Sequence, residues 1–299
     1  MASSSSNILS LLFEAVVVLL HLALIPIACG QPSSHPRWEQ LRNLSGCDLG
    51  ERRLGLANLK AYLHDFGYLP GTPGSNFTED FDRELGSALV AYQNFFNLNV
   101  TGRLDAATLD LIAMPRCGVP DVAVNGTTTT SSRYYARRRS LYSYFPGLPR
   151  WPPYKRHLRY AFVSAANAQV RAVFARAFGR WASVTPFAFS ETSYGSPDIT
   201  ISFVWFDGPG NKLAFAYAPP VGRMEVDYAE NWWVQGGSRL SQSLLYDLES
   251  VVVHEIGHLL GLDHSTVPEA IMYPVIPPRT KKVTLAYDDL QGIWGLYGN

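Results

Sequence analysis

The chain has 299 residues, 47% of them apolar and 17% charged, with 25 basic side chains against 25 acidic ones. That length accommodates two modest domains plus extra segments. A formal charge of zero excludes a bulk electrostatic pull toward nucleic acid or an acidic membrane. Three cysteines, none after residue 140, exclude a disulfide framework for the C-terminal half.

Leu11 to Ala28 is mostly apolar, and Ala28-Cys29-Gly30 offers small residues for cleavage. Residues 1–30 are read as a secretory signal that takes Cys29 with it. Glu14, His21 and the lack of a preceding positive charge depart from the usual pattern, so a retained membrane anchor is the alternative. Glycosylation triplets start at Asn43, Asn76, Asn99 and Asn125, in keeping with a secreted glycoprotein.

Three helices are expected next: Leu54–Phe66, Phe81–Phe96 and Asp105–Ala113, each with apolar residues at helical spacing. Then Pro115-Arg116-Cys117-Gly118-Val119-Pro120-Asp121 forbids a helix and predicts an exposed, extended loop. Val122–Arg139 reads as a linker, and Arg137-Arg138-Arg139 as a candidate processing site. From residue 140 the character changes. A strand over Leu158–Val163 and an amphipathic helix over Ala166–Val184 precede strands over Phe187–Phe189, Ile199–Trp205, Leu213–Ala218 and Arg223–Val226. Helices over Ser241–Leu260 and Tyr287–Leu296 complete an α+β domain with a twisted mixed sheet.

The decisive segment is His254-Glu255-Ile256-Gly257-His258-Leu259-Leu260-Gly261-Leu262-Asp263-His264. Histidines at i and i+4 share one helix face. Gly261 permits a sharp turn, so His264 returns as a third ligand. Three protein ligands with an open fourth position suit catalytic zinc. Glu255 flanks the metal without binding it and is the expected general base. The buried-looking Val251-Val252-Val253 and Leu259-Leu260 would anchor this helix.

This motif, followed by Ala270-Ile271-Met272-Tyr273-Pro274, resembles the metzincin metalloproteases and their methionine turn. With the Pro115–Asp121 segment, the resemblance narrows to the matrix metalloproteinases. It implies a three-helix propeptide (31–139) whose Cys117 thiolate closes the zinc site in the latent form, ahead of a catalytic domain (140–299). Arg116 and Asp121 would pair across that loop. It implies a zymogen that hydrolyses extended peptides of extracellular proteins, bound along Leu213–Tyr217, with Met272–Val275 walling a pocket. No haemopexin-like repeat follows and no apolar tail closes the chain, which is similar to the short plant members; the apoplast or cell-wall space would then be the location, without a stable membrane anchor. The resemblance also implies calcium, held by Asp207, Asp227 and Glu230 with backbone carbonyls of Gly208, Gly210 and Lys212.

One departure is plain. The family's second, structural zinc needs three histidines and an aspartate, yet Phe215 and Glu225 stand at two of those positions, and His157 is the only histidine after residue 140 outside the trio. That loss keeps open a non-catalytic zinc- or peptide-binding protein. A cell-wall-binding role for the helical unit, and a Cys47–Cys117 disulfide in place of masking, are further alternatives.

Overall fold

A computed structural model of the chain describes residues 41–71, 76–122, 141–193, 195–234 and 245–298. The expected signal segment, the Asn125 triplet and Arg137-Arg138-Arg139 lie outside the described residues. No helix among the described residues is long and apolar enough to cross a membrane.

The N-terminal half is the expected three-helix unit: α1 (Leu56–Asp65), α2 (Arg83–Phe95) and α3 (Ala106–Ile112). Asp82 and Asp105 start α2 and α3 by accepting the amides of Leu85 and Thr108, both at 2.8 Å. Leu59, Leu63, Leu85, Leu89, Tyr92 and Ile112 close one core. Leu54, expected to open α1, is 80% exposed. The left-handed Gly55 (φ 105°) precedes the helix and places Leu54 outside it.

The C-terminal half carries a five-stranded sheet in the order β2-β1-β3-β5-β4. The strands are β1 (His157–Phe162), β2 (Ala188–Glu191), β3 (Ile199–Val204), β4 (Ala214–Tyr217) and β5 (Arg223–Asp227). All joints are parallel except β4 against β5, so the sheet is mixed and mostly parallel. Helix α4 (Ala168–Ala182) buries Val173, Phe174, Phe178 and Trp181, with Phe178 stacked on Tyr160 at 4.3 Å between centroids. Two short strands that the sequence reading missed, β6 (Trp232–Trp233) and β7 (Tyr246–Asp247), pair beside the sheet.

Helix α5 (Leu248–Leu259) begins later than the expected Ser241, because Tyr246 and Asp247 are in β7 and the Asp247 carboxylate caps the Ser250 amide at 2.9 Å. Every residue of α5 is buried. The Trp181 indole donates to the Val253 carbonyl at 2.8 Å and ties α5 to α4. Burial of Val251, Val252, Val253, Leu259 and Leu260 anchors the helix as expected. Helix α6 (Tyr287–Tyr297) closes the chain.

Candidate metal centre

Helix α5 carries His254, Glu255 and His258 inward, and the turn after it returns His264. Gly261 makes that turn at φ 98°, where an added Cβ would lie 2.2 Å from the Pro149 carbonyl oxygen. Beneath the rings Met272 packs so closely on Gly257 that a Cβ there would meet its sulfur at 2.2 Å. The methionine turn is itself held by a residue the sequence reading missed. The buried Asp289 carboxylate accepts the amides of Ile271 (2.8 Å), Met272 (3.0 Å) and Ala286 (2.7 Å). Its placement in the first turn of α6 was the available signal.

The tautomers follow from the partners. His254 Nδ1 faces the Ile271 carbonyl at 2.7 Å, and His258 Nδ1 faces that of Leu262 at 2.8 Å. A carbonyl only accepts, so each ring carries its proton on Nδ1. His264 Nδ1 likewise donates to Asp121 Oδ1 at 2.7 Å. Three bare Nε2 lone pairs then converge, with His254–His258 at 3.1 Å and His258–His264 at 3.2 Å. Burial foremost, and for His254 and His258 the adjacent rings as well, hold the imidazoles below the ordinary histidine range. Lone pairs facing one another repel unless a Lewis acid lies between them.

The buried Cys117 thiol joins the rings, 3.5 Å from His258 Nε2, and the four ligand atoms lie within 4.8 Å of one another. Tetrahedral zinc with ordinary bond lengths requires N···N of about 3.3 Å and N···S of about 3.6 Å. The 3.1 and 3.2 Å ring–ring and 3.5 Å ring–thiol spacings fit. Glu255 is fully buried, and its two oxygens make no hydrogen bond of ordinary geometry; the Cys117 thiol is its near polar neighbour. Burial lifts the Glu255 carboxyl to about 8, and burial together with the Glu255 charge lifts the thiol. A cation at the convergence point lowers both, so the donor set is that of a metal site.

The expectation that Pro115–Asp121 is exposed is overturned. The segment lies in the cleft, with Arg116 and Cys117 wholly buried. Its backbone bonds both walls. Leu213 N–H donates to the Arg116 carbonyl (2.9 Å) and Gly118 N–H to that of Ala214 (2.8 Å), while Cys117 N–H donates to Pro274 (2.9 Å). The free edge of β4, the expected peptide-binding strand, is thus occupied by the chain's own segment. A Cys47–Cys117 disulfide is also overturned: both thiols are free. Arg116 pairs with Asp121 at 2.5 Å as expected, and its guanidinium lies 3.7 Å above the Phe66 ring. Tyr68, unnoticed in the sequence, donates to Asp121 Oδ2 at 2.6 Å. Burial raises the Asp121 pKa, but Arg116 and then His264 outweigh it and bring the carboxyl to about 2.

Beside His254 a cavity of about 20 Å³, room for about one water, is lined by Ser250, Ile271, Tyr273, Val275 and Lys282 among others. Burial lowers Lys282 to about 8.

The expected calcium residues gather in part. Asp207 accepts from Asn211 Nδ2 (2.5 Å), Glu230 Oε1 accepts from Gly210 N–H (2.6 Å), and Asp227 Oδ1 accepts from Ala229 N–H (2.8 Å). Gly208 takes φ 87°, which shapes the turn; the Lys212 ammonium pairs with Asp65 at 2.8 Å and does not bear on its backbone carbonyl, the expected ligand. Asp227 Oδ2, Glu230 Oε2 and Asn211 Oδ1 are buried acceptors without a donor. Burial, then repulsion from Asp227 and Asp207, lifts Glu230 to about 7.

At the missing second zinc, Phe215 and Glu225 are direct cross-strand partners. Phe215 packs on Tyr217 (4.8 Å), Arg223 covers Tyr217 (4.0 Å), and Arg223 pairs with Glu225 (3.3 Å). These aromatic and charged side chains do not fit a tetrahedral zinc. His157, the remaining histidine of this half, bonds Ser190 at 2.8 Å on an exposed strand end.

A family model described as Matrixin matches residues 150–298, and one described as Putative peptidoglycan binding domain matches residues 52–112. The chain is 46% identical to Metalloendoproteinase 2-MMP of Arabidopsis thaliana over 87% of its own length and 75% of that relative. It is 45% identical to Metalloendoproteinase 1 of Glycine max, covering 83% of this chain and 84% of that one. It is 34% identical to Matrix metalloproteinase-16 of Homo sapiens, over 81% of this chain but 41% of the longer human protein. The chain therefore belongs to the matrix metalloproteinases, as a short plant-type member and a zinc metalloendopeptidase.

Proposed function

We propose that the chain is a secreted, latent endopeptidase in which His254, His258 and His264 hold the catalytic zinc and Cys117 closes its fourth position. The supporting observation is the buried thiol set against three unprotonated ring nitrogens at zinc-like spacing. On this reading residues 1–30 are a signal peptide, 31–139 the propeptide and 140–299 the catalytic domain. Asn43, Asn76 and Asn99 are exposed, in keeping with glycosylation on the secretory route.

Once the propeptide leaves, the edge of β4 is free to pair with an extended peptide. The bound ion supplies Lewis acidity toward a water and the scissile carbonyl. Glu255 takes the proton of the attacking water on its carboxylate and returns it to the departing amine. The buried setting excludes competing water and keeps the carboxylate aimed. The Met272–Val275 segment walls the pocket for the side chain after the cleaved bond, and apolar walls favour an apolar one; the space beside His254 holds about one water as it stands. Calcium, held by Asp207, Asp227 and Glu230 with neighbouring carbonyls, stiffens the loop entering β4; the three unpartnered buried oxygens support this.

Glu255→Gln tests the mechanism. Peptide hydrolysis by the processed enzyme should fall roughly 10²- to 10⁴-fold, with one zinc retained per chain by elemental analysis. Undiminished turnover refutes the general-base role, and folded protein that takes up no zinc refutes the site.

A further inference from the structure

The three rings differ in who holds them from behind. His254 and His258 donate their Nδ1–H to carbonyls of Ile271 and Leu262, which lie in the catalytic half. His264 donates instead to Asp121, 143 residues away in the Pro115–Asp121 segment. Both side chains of that pair are wholly buried. Asp121 is itself fixed from two sides: Arg116 Nη2 shares Oδ1 at 2.5 Å, and the Tyr68 hydroxyl donates to Oδ2 at 2.6 Å. Metal-binding histidines generally give their second N–H to a carboxylate, a carbonyl or water, and an anionic acceptor raises the basicity of the ligating nitrogen.

We propose that Asp121 is a positioning residue of the metal centre: it sets the tautomer and aim of His264, so that the propeptide lends the ion an outer carboxylate as well as a thiolate. Removing the propeptide strips both. The latent chain therefore holds its zinc more tightly than loss of the thiolate alone explains, and processing converts a closed, retentive site into an open, more labile one. Arg116 and Tyr68 serve this end by holding both oxygens of Asp121 in place. The inference rests on the zinc reading above.

The test uses full-length chain carrying Glu255→Gln, to prevent self-processing, and Cys117→Ser, to remove the thiolate. Zinc content is measured first by elemental analysis, and zinc affinity then by competition with a chromophoric chelator. Adding Asp121→Asn should weaken zinc binding roughly 10- to 100-fold. Adding Arg116→Gln, which also breaks the Arg116–Asp121 pair but leaves the carboxylate facing His264, should weaken it much less. In ¹⁵N-histidine spectra Asp121→Asn should move the Nδ1–H resonance of His264 and leave those of His254 and His258 in place. Where Asp121→Asn fails to fold, Tyr68→Phe, which deletes one hydroxyl, should move the same resonance. One zinc per chain with unchanged affinity and an unmoved His264 resonance overturns the positioning role but leaves the metal site standing. Equal losses in the Asp121 and Arg116 variants also overturn it, since loop loosening then accounts for both. A parent protein that binds no zinc overturns the zinc reading itself.

Discussion

Lys282 places an ammonium against the cavity beside His254, where burial brings it from an ordinary 10.5 to about 8. Its Nζ donates to the Pro268 carbonyl at 2.6 Å and lies 5.6 Å from the Tyr273 ring centroid; Asp289 and Glu269 offset part of the burial, but among the described residues no carboxylate forms an ion pair with it. The depressed folded value fixes the sign. Below about pH 8 the lysine is charged in both states, and the fold bears the full cost of burying that charge. Between 8 and 10.5 the folded chain releases its proton first, and the cost shrinks as pH rises. The shift corresponds to about 3.4 kcal/mol at most, and partial solvation reduces this to about 1–2 kcal/mol. Lys282→Met keeps the stem and removes the charge. In a Glu255→Gln background, urea unfolding should show a gain of about 1–2 kcal/mol at pH 7, falling by more than half at pH 9.5. A gain that does not change with pH assigns the effect to packing. A loss at pH 7 shows that the bond to Pro268 outweighs desolvation and refutes the reasoning.

Full-length chain with Cys117→Ser should hydrolyse a peptide before any cleavage of the propeptide, whereas the parent stays silent until processed; a silent uncleaved variant, checked by gel and peptide assay, counts against thiolate masking. Gly261→Ala forces a side chain onto φ 98° and onto the Pro149 carbonyl; it should cost at least about 1–3 kcal/mol in chemical unfolding and reduce zinc content by displacing His264. Calcium at 100 times its dissociation constant should add about 2.7 kcal/mol of stability, seen as a shift of the thermal midpoint. Asp227→Asn should abolish that shift, and an Asp227→Asn protein that still responds in full would place calcium elsewhere.

The sequence displayed the metal centre because its parts are local. His254 and His258 are one helical turn apart, and Gly261 announces the return of His264. The helices and most strands were legible from periodicity, with ends displaced where caps decide them: Asp247 starts α5 at Leu248, and Gly55 starts α1 at Leu56. What was not legible depends on contacts across long separations. Asp289 reads as an ordinary acid near a helix start until the Ile271 and Met272 amides are seen to converge on it. Tyr68 reads as a core aromatic until its hydroxyl meets Asp121, 53 residues on. The Pro115–Asp121 segment was read as exposed because prolines and glycine suit surface loops. Its burial needs two walls, β4 and the Pro274–Ile276 strip, whose approach no local pattern encodes.

The lost second zinc tests whether the fold depends on that ion for geometry or only for stability. With Phe215 opposite Glu225, β4 keeps its antiparallel register with β5 from Ala214–Val226 to Tyr217–Arg223. What an ion would have cross-linked is held instead by ring packing, a cation over a ring and a same-face ion pair, each worth at most about 1 kcal/mol at such partly solvated positions. The edge strand is therefore in place but less firmly tied than a metal would make it. The Pro115–Asp121 segment compensates, since Arg116 and Gly118 add backbone bonds along its outer side. An edge that gains stability from a paired strand also binds an incoming peptide at the cost of ordering itself. On the proposed reading, residues 115–118 occupy the edge that a substrate strand would pair with, and they hold β4 in register while they do so.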